Sequence, residues 1–142
     1  MAGYGIIGCG YAGGIHADNL AGLPGARLAA AFDLDYERSK AFVRDTGAYA
    51  APTIEELCSN REVEAVIITT PNNSHVTPAI LAAEAGKHVF CEKPVALSLK
   101  DTKEMLEGGG TFFCRAYNQF YQGRPDGEGA AGRGRDRRAA YD

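Results

Sequence analysis

The segment Gly8-Cys9-Gly10-Tyr11-Ala12-Gly13 spaces three glycines as G-x-G-x-x-G. Alone the pattern is weak, because glycine-rich turns serve many purposes. Here it follows the apolar run Tyr4 to Ile7 and opens a stretch carrying Ile15, Leu20 and Leu23 at helical intervals. In that context each glycine has its own role. Gly8 permits the tight turn, Gly10 lets backbone approach a pyrophosphate, and Gly13 lets helix and strand pack closely. Tyr11 and Ala12 lie where the helix N-terminus meets the anion with unpaired N–H groups and the positive end of its dipole.

Other polar groups stand where apolar runs stop. Asp33 closes the run Leu28 to Phe32, 20 residues after Gly13. A carboxylate at that place accepts hydrogen bonds from an adenosine ribose and repels a 2′-phosphate, which favours NAD over NADP. Arg38 lies close enough in sequence to soften that preference. Thr69-Thr70-Pro71-Asn72 closes the run beginning at Ala65. Thr70 and Asn72 offer polar contacts there, Pro71 stiffens the turn, and His75 is read as a support for the loop. Glu92-Lys93-Pro94 follows the run His88 to Cys91. Two opposite charges directly after a buried strand are costly without a purpose. His16 sits in the first helix and is read as a packed residue.

The elements that must hold these groups alternate. Tyr4 to Ile7, Leu28 to Phe32, Ala65 to Thr69 and His88 to Cys91 are short, continuous apolar runs ending in turn signals, as buried parallel strands are. Thr111 to Tyr117 resembles one more. Helices are expected over Ala12 to Leu23, Tyr36 to Thr46, Thr53 to Cys58, Pro78 to Ala85 and Ser98 to Glu107. Thr53-Ile-Glu-Glu56 has a capping-box pattern. Pro78 suits a first helical position with Thr77 as cap, and Gly86 suits a helix stop. Strand–helix alternation calls for a doubly wound parallel α/β sheet, the Rossmann type, with right-handed crossovers. The parallel strands then bring their carboxyl ends, and all the groups above, to one edge.

Composition agrees with a soluble globular chain: 142 residues, 45% apolar and 23% charged, with net charge −3. No basic stripe suggests a nucleic-acid partner, and no apolar run approaches a membrane span. The first basic residue is Arg27, so the N-terminus lacks the charged region of a secretory signal. Cys9, Cys58, Cys91 and Cys114 are widely spaced, which suits free thiols in a reducing cytoplasm and gives no metal-ligand spacing.

Together, Gly8 to Gly13, Asp33, Thr70-Pro71-Asn72 with His75, and the run Ala85-Gly86-Lys87-His88-Val89-Phe90-Cys91-Glu92-Lys93-Pro94 resemble the glucose–fructose oxidoreductase/inositol dehydrogenase family. The resemblance covers roughly Gly3 to Asn118. It implies hydride transfer between a nicotinamide cofactor and a carbinol carbon of a sugar, cyclitol or related polyol. It also implies that Lys93 is catalytic and lies near the nicotinamide and substrate, orienting the reacting oxygen and managing its proton. Glu92 would hold the lysine and the nicotinamide ribose. The expected cofactor-binding set is Gly8, Gly10, Tyr11, Ala12, Gly13, Asp33, Thr70, Pro71, Asn72, His75, Glu92 and Lys93, with no metal.

The departure from the family lies toward the C-terminus. Members carry a second α/β domain that supplies an Asp and a His to the substrate hydroxyl, whereas this chain has no histidine after His88. Ala116-Tyr-Asn118-Gln-Phe120-Tyr121 resembles the start of that domain. Beyond it the sequence is dominated by Gly, Ala, Arg and Asp, too poor in apolar groups to offset ordering entropy. The expected organisation is a Rossmann domain over 1–122 and an unstructured tail over 123–142. The tail has the look of a shifted or early-ended reading frame, and Gly108-Gly-Gly110 that of a deletion. The expected function is an NAD(P)-binding domain of a sugar or polyol oxidoreductase, catalytically incomplete as it stands. The alternative is a dinucleotide-binding module without catalysis.

Overall fold

The computed structural model describes residues 1–92, 112–116 and 119–123, together with Lys100 and Lys103. Its elements are β1 (Ala2–Ile7), α1 (Tyr11–Ala21), β2 (Ala26–Phe32), α2 (Tyr36–Val43), β3 (Tyr49–Ala50), α3 (Ile54–Ser59), β4 (Ala65–Ile68), α4 (Val76–Glu84), β5 (His88–Cys91), β6 (Phe112–Ala116) and β7 (Gln119–Gly123). A short 3₁₀ turn, Asn72–Ser74, leads into α4.

The strands form one sheet in the order β3-β2-β1-β4-β5-β6-β7. All pairs are parallel except β6 with β7. This is the expected doubly wound arrangement. β1 is the centre, pairing with β2 on one side and β4 on the other. The winding direction therefore reverses between β1 and β4, and a crevice opens there at the carboxyl edge.

Consecutive residues of each central strand face opposite sides, and two sets of helices cover them. Ile7, Phe32, Val66, Ile68 and Val89 pack with Leu57 of α3 and Ala79, Ala82 and Ala83 of α4. On the other face Ile6 and Ile67 pack with Leu20 of α1, and Ala31 with Val43 of α2. The fully buried Ala29, Ala30 and Ala31 at the heart of β2 keep both helical layers close to the backbone.

Thr53 caps α3 as its sequence suggests, Oγ1 accepting from Glu56 N at 3.1 Å. The other ends differ from expectation for local reasons. α1 begins at Tyr11 and stops at Ala21, with Gly22 as its cap, rather than running to Leu23. α2 stops at Val43, short of Thr46, and Thr46 turns back to bond the Val43 carbonyl. α4 starts at Val76 with His75 as its cap, not at Pro78 after Thr77. Pro78 is then the third helical residue, whose N–H would find no intrahelical partner in any case. The first intrahelical bond is Ala79 N to His75 O at 3.2 Å. β3 has no counterpart among the strands expected from the sequence. Within the segment 116–121, which resembles the start of a second domain, Gln119 to Tyr121 instead belong to β7, which pairs antiparallel with β6 as the last strand of the same sheet. The helix expected over 98–107 lies outside the described residues apart from Lys100 and Lys103, both helical. Of the tail expected over 123–142, Gly123 is the last residue of β7, and 124–142 lie outside the described residues.

Among the described residues no helix is long and apolar enough to cross a membrane. None of them form a cluster of three or more potential metal ligands.

Candidate cofactor site

Gly8 follows β1, with a φ of +105°. A side chain there would have to adopt a left-handed backbone and would meet Thr69 C and Thr70 N at 2.8 and 2.9 Å. Gly13 is buried one helical turn along, and a Cβ on it would run into the Gly8 carbonyl oxygen. These two glycines are demanded by the protein's own packing. Gly10 is not: its φ of −86° and ψ of −161° suit any residue, and a Cβ there meets nothing within 4 Å. The space in front of Gly10 is open to the crevice.

Gly10 caps α1 with no side-chain hydrogen bond, and the first turn carries no acidic residue. The earliest helical bond runs from Gly14 N to Gly10 O at 3.0 Å. The N–H groups of Tyr11, Ala12 and Gly13 therefore have no helical acceptor and present the positive dipole end to the same open space. A pyrophosphate fits such a terminus.

Asp33 follows β2, and its side chain is only 11% exposed. Its backbone N–H donates to the buried Ser39 Oγ at 2.7 Å. Its Oδ2 accepts from Cys9 N at 2.9 Å and its Oδ1 from Asp35 N at 3.0 Å. Arg38 adds a longer contact to Oδ1 at 3.4 Å. A carboxylate offers about four acceptor sites, so one remains for a sugar hydroxyl, and the half-exposed Arg38 can yield another. Capping of α2 falls to Asp35, which accepts from Glu37 and Arg38 N–H, so Asp33 is not a helix cap.

The end of β4 closes the other wall. Thr69 Oγ1 donates to Gly8 O at 2.7 Å, tying this strand to the glycine turn. Thr70 Oγ1 donates to Ser74 O at 3.0 Å, so its hydroxyl shapes the loop. His75 is 1% exposed, and its Nε2–H donates to the Thr70 carbonyl at 2.7 Å. Pro71 lines the crevice; the Asn72 side chain lies outside the described residues. Gly8, Gly10, Asp33, Leu34, Arg38 and Thr69 to Pro71 enclose a cavity of about 580 Å³, within the usual size of a cofactor site.

Glu92 follows β5 on the same edge, its backbone N–H bonded to Ile68 O at 3.2 Å. Its carboxylate meets the ring of His16, Nε2 to Oε1 at 2.8 Å. Lys93 and Pro94 lie outside the described residues. Three contributors are not evident from the sequence. Ser39 and Thr69 act through backbone atoms of other elements, which no local pattern reports. His16 has the spacing of a packing residue, and only the fold brings it to Glu92.

Cys9 lies inside the glycine turn with its Sγ 3.6 Å from Phe32 O. Burial first, and then the charge of Asp33, push its thiol up to about 12. Burial likewise raises Cys58 to about 11. Both thiols stay protonated, so neither offers a thiolate nucleophile to a cofactor or substrate.

The model of the oxidoreductase family with an NAD-binding Rossmann fold matches residues 2–108. The chain belongs to that family. It is 40% identical over 106 residues to a myo-inositol 2-dehydrogenase of Thermotoga maritima, covering 72% of this chain and 31% of the relative. It is 38% identical over 125 residues to a 2,7-anhydro-N-acetylneuraminate hydratase of Mediterraneibacter gnavus, covering 85% and 33%. The myo-inositol dehydrogenase of Lactobacillus casei, solved with NAD(H) and myo-inositol, superposes with a TM-score of 0.70 at 31% identity, covering 76% of this chain and 33% of that one. The chain thus spans about a third of the length of the relatives it matches. It is an NAD-binding Rossmann domain of an oxidoreductase, homologous to inositol dehydrogenases and sugar-acting enzymes.

Proposed function

We propose that the chain is the cofactor-binding part of an NAD-dependent dehydrogenase acting on a carbinol carbon of a sugar, cyclitol or related polyol. The observation that carries the cofactor's pose is Gly10, a glycine that neither backbone nor packing requires, standing before an uncapped helix N-terminus. The pyrophosphate then lies against Gly10 and the N–H groups of Tyr11, Ala12 and Gly13. Asp33 accepts from the adenosine ribose, and Thr70, Pro71 and Asn72, braced by His75, form the wall across the crevice. Glu92 accepts from the nicotinamide ribose. Bound NAD supplies the hydride-accepting chemistry. Lys93, next in sequence to Glu92, orients the reacting oxygen and manages its proton. Free, buried thiols suit a reducing cytoplasm, and the net charge of −3 gives no attraction for nucleic acid.

Cofactor choice tests the assignment of Asp33. Titration calorimetry should find NAD bound more tightly than NADP, since the carboxylate accepts from a free ribose and opposes a phosphate. Asp33→Ala should shrink that ratio by on the order of tenfold, the effect of one hydrogen bond to a charged group. The ratio is the informative quantity, because the variant also frees Cys9 N and loosens the turn for both cofactors. Equal or reversed affinities in the parent would remove Asp33 from the ribose site.

A further inference from the structure

The sheet-facing stripe of α1 contains Gly13, His16, Ala17 and Leu20, spaced as a buried helical face requires. Gly13 and Leu20 are buried, and Ala17 and Leu20 join Ile6 and Ile67 in a core cluster. His16 is the polar exception in this stripe. Its side chain is 17% exposed and its ring stands edge-on to Phe90, centroids 5.5 Å apart and planes at 66°. An apolar residue would fill the place at lower cost, since a half-buried imidazole must find a partner. The partner is Glu92, reached across the edge of the sheet from a position 76 residues away in sequence. Glu92 Oε1 is a carboxylate acceptor, so Nε2 carries the proton. Among the described residues the other carboxylate oxygen, Oε2, makes no hydrogen bond, and the side chain remains 23% exposed.

The first strand–turn–helix unit thus holds two carboxylates that follow strands at the carboxyl edge of the sheet. Cys9 N–H holds Asp33 at one end, and the His16 ring holds Glu92 at the other. The α1 N-terminus stands between them in the same unit.

We propose that His16 is a positioning residue for the nicotinamide half of the cofactor. It fixes the Glu92 carboxylate so that the unbonded oxygen is kept free for ribose hydroxyls. The inference rests on the cofactor assignment above and adds a residue to it. Without the bond, Glu92 keeps its backbone anchor to Ile68 but can turn its carboxylate to solvent, and that freedom must be lost again on binding.

Two probes separate this role from a general packing role: NADH, and ADP, which carries the adenosine and pyrophosphate alone. His16→Phe keeps a ring against Phe90 and the apolar stripe while removing the donor. His16→Gln keeps a donor. Titration of the full chain should give about tenfold weaker NADH binding for His16→Phe, the effect of one lost charge-assisted bond. ADP should bind that variant as it binds the parent, and His16→Gln should recover most of the NADH affinity. The inference is overturned by unchanged NADH affinity in His16→Phe, by NADH and ADP weakening together, or by failure of His16→Gln to recover. A parent chain that binds neither probe would overturn the cofactor assignment itself, and this inference with it.

Discussion

Asp33 and Cys9 show how closely binding and folding share atoms at this site. The carboxylate proposed to receive a ribose also orders the glycine turn through Cys9 N and the start of α2 through Asp35 N. The Cys9 side chain bears the electrostatic consequence. Its folded pKa, about 12, lies above the ordinary thiol value of 9.0 because burial, and then the Asp33 charge, disfavour the thiolate. A thiol held protonated in the fold contributes stability that is whole below the unfolded pKa. As pH rises from 9.0 toward about 12 the unfolded chain loses the proton first, and that stability is lost. Urea unfolding at about pH 8 and about pH 10 should therefore show the parent losing more stability than Cys9→Ala over that interval. The same loss in both chains would mean that Cys9 is not the group responsible.

Among the elements, α4 has the clearest sequence signal at its end. Gly86 has a φ of +73°, and its N–H and that of Lys87 return to Ala83 O and Ala82 O at 2.9 Å each. This is the double bond pattern that closes a helix with a left-handed residue. Gly22, the cap of α1, has an ordinary φ of −88° and only ordinary contacts around a built Cβ, the nearest at 3.7 Å. The two glycines should respond oppositely to alanine. Gly86→Ala should cost about 1 kcal/mol, and Gly22→Ala should stabilise by about 0.4–1 kcal/mol through the unfolded chain. Thermal or urea unfolding of the two variants checks the signs; matching signs would contradict the backbone argument. The strands are legible in the sequence because β2 and β4 are buried on both faces along most of their length and read as nearly unbroken apolar runs. β3, at two residues, is too short to carry any period. The start of α4 is misplaced by sequence alone because Pro78 suits the third helical position as well as the first. At the site, residues acting through local pattern, such as the glycines and Asp33, can be read from the sequence. The pairings Ser39 to Asp33 and His16 to Glu92 depend on side-chain reach across elements, and they cannot.

For the molecule as a whole, the chain matches relatives along about a third of their length, over the segment that carries the NAD-binding Rossmann fold. The cofactor pose itself is exposed to a sharper test at Gly10. Gly10→Val is sterically quiet in the folded chain, for a Cβ there meets nothing within 4 Å and the backbone is one that valine adopts readily. Calorimetric titration of NAD into the parent and Gly10→Val should give binding to the first and none to the second, with the same melting curve for both. NAD binding by Gly10→Val as tight as the parent's would mean that no pyrophosphate lies against Gly10, and the crevice would need another occupant.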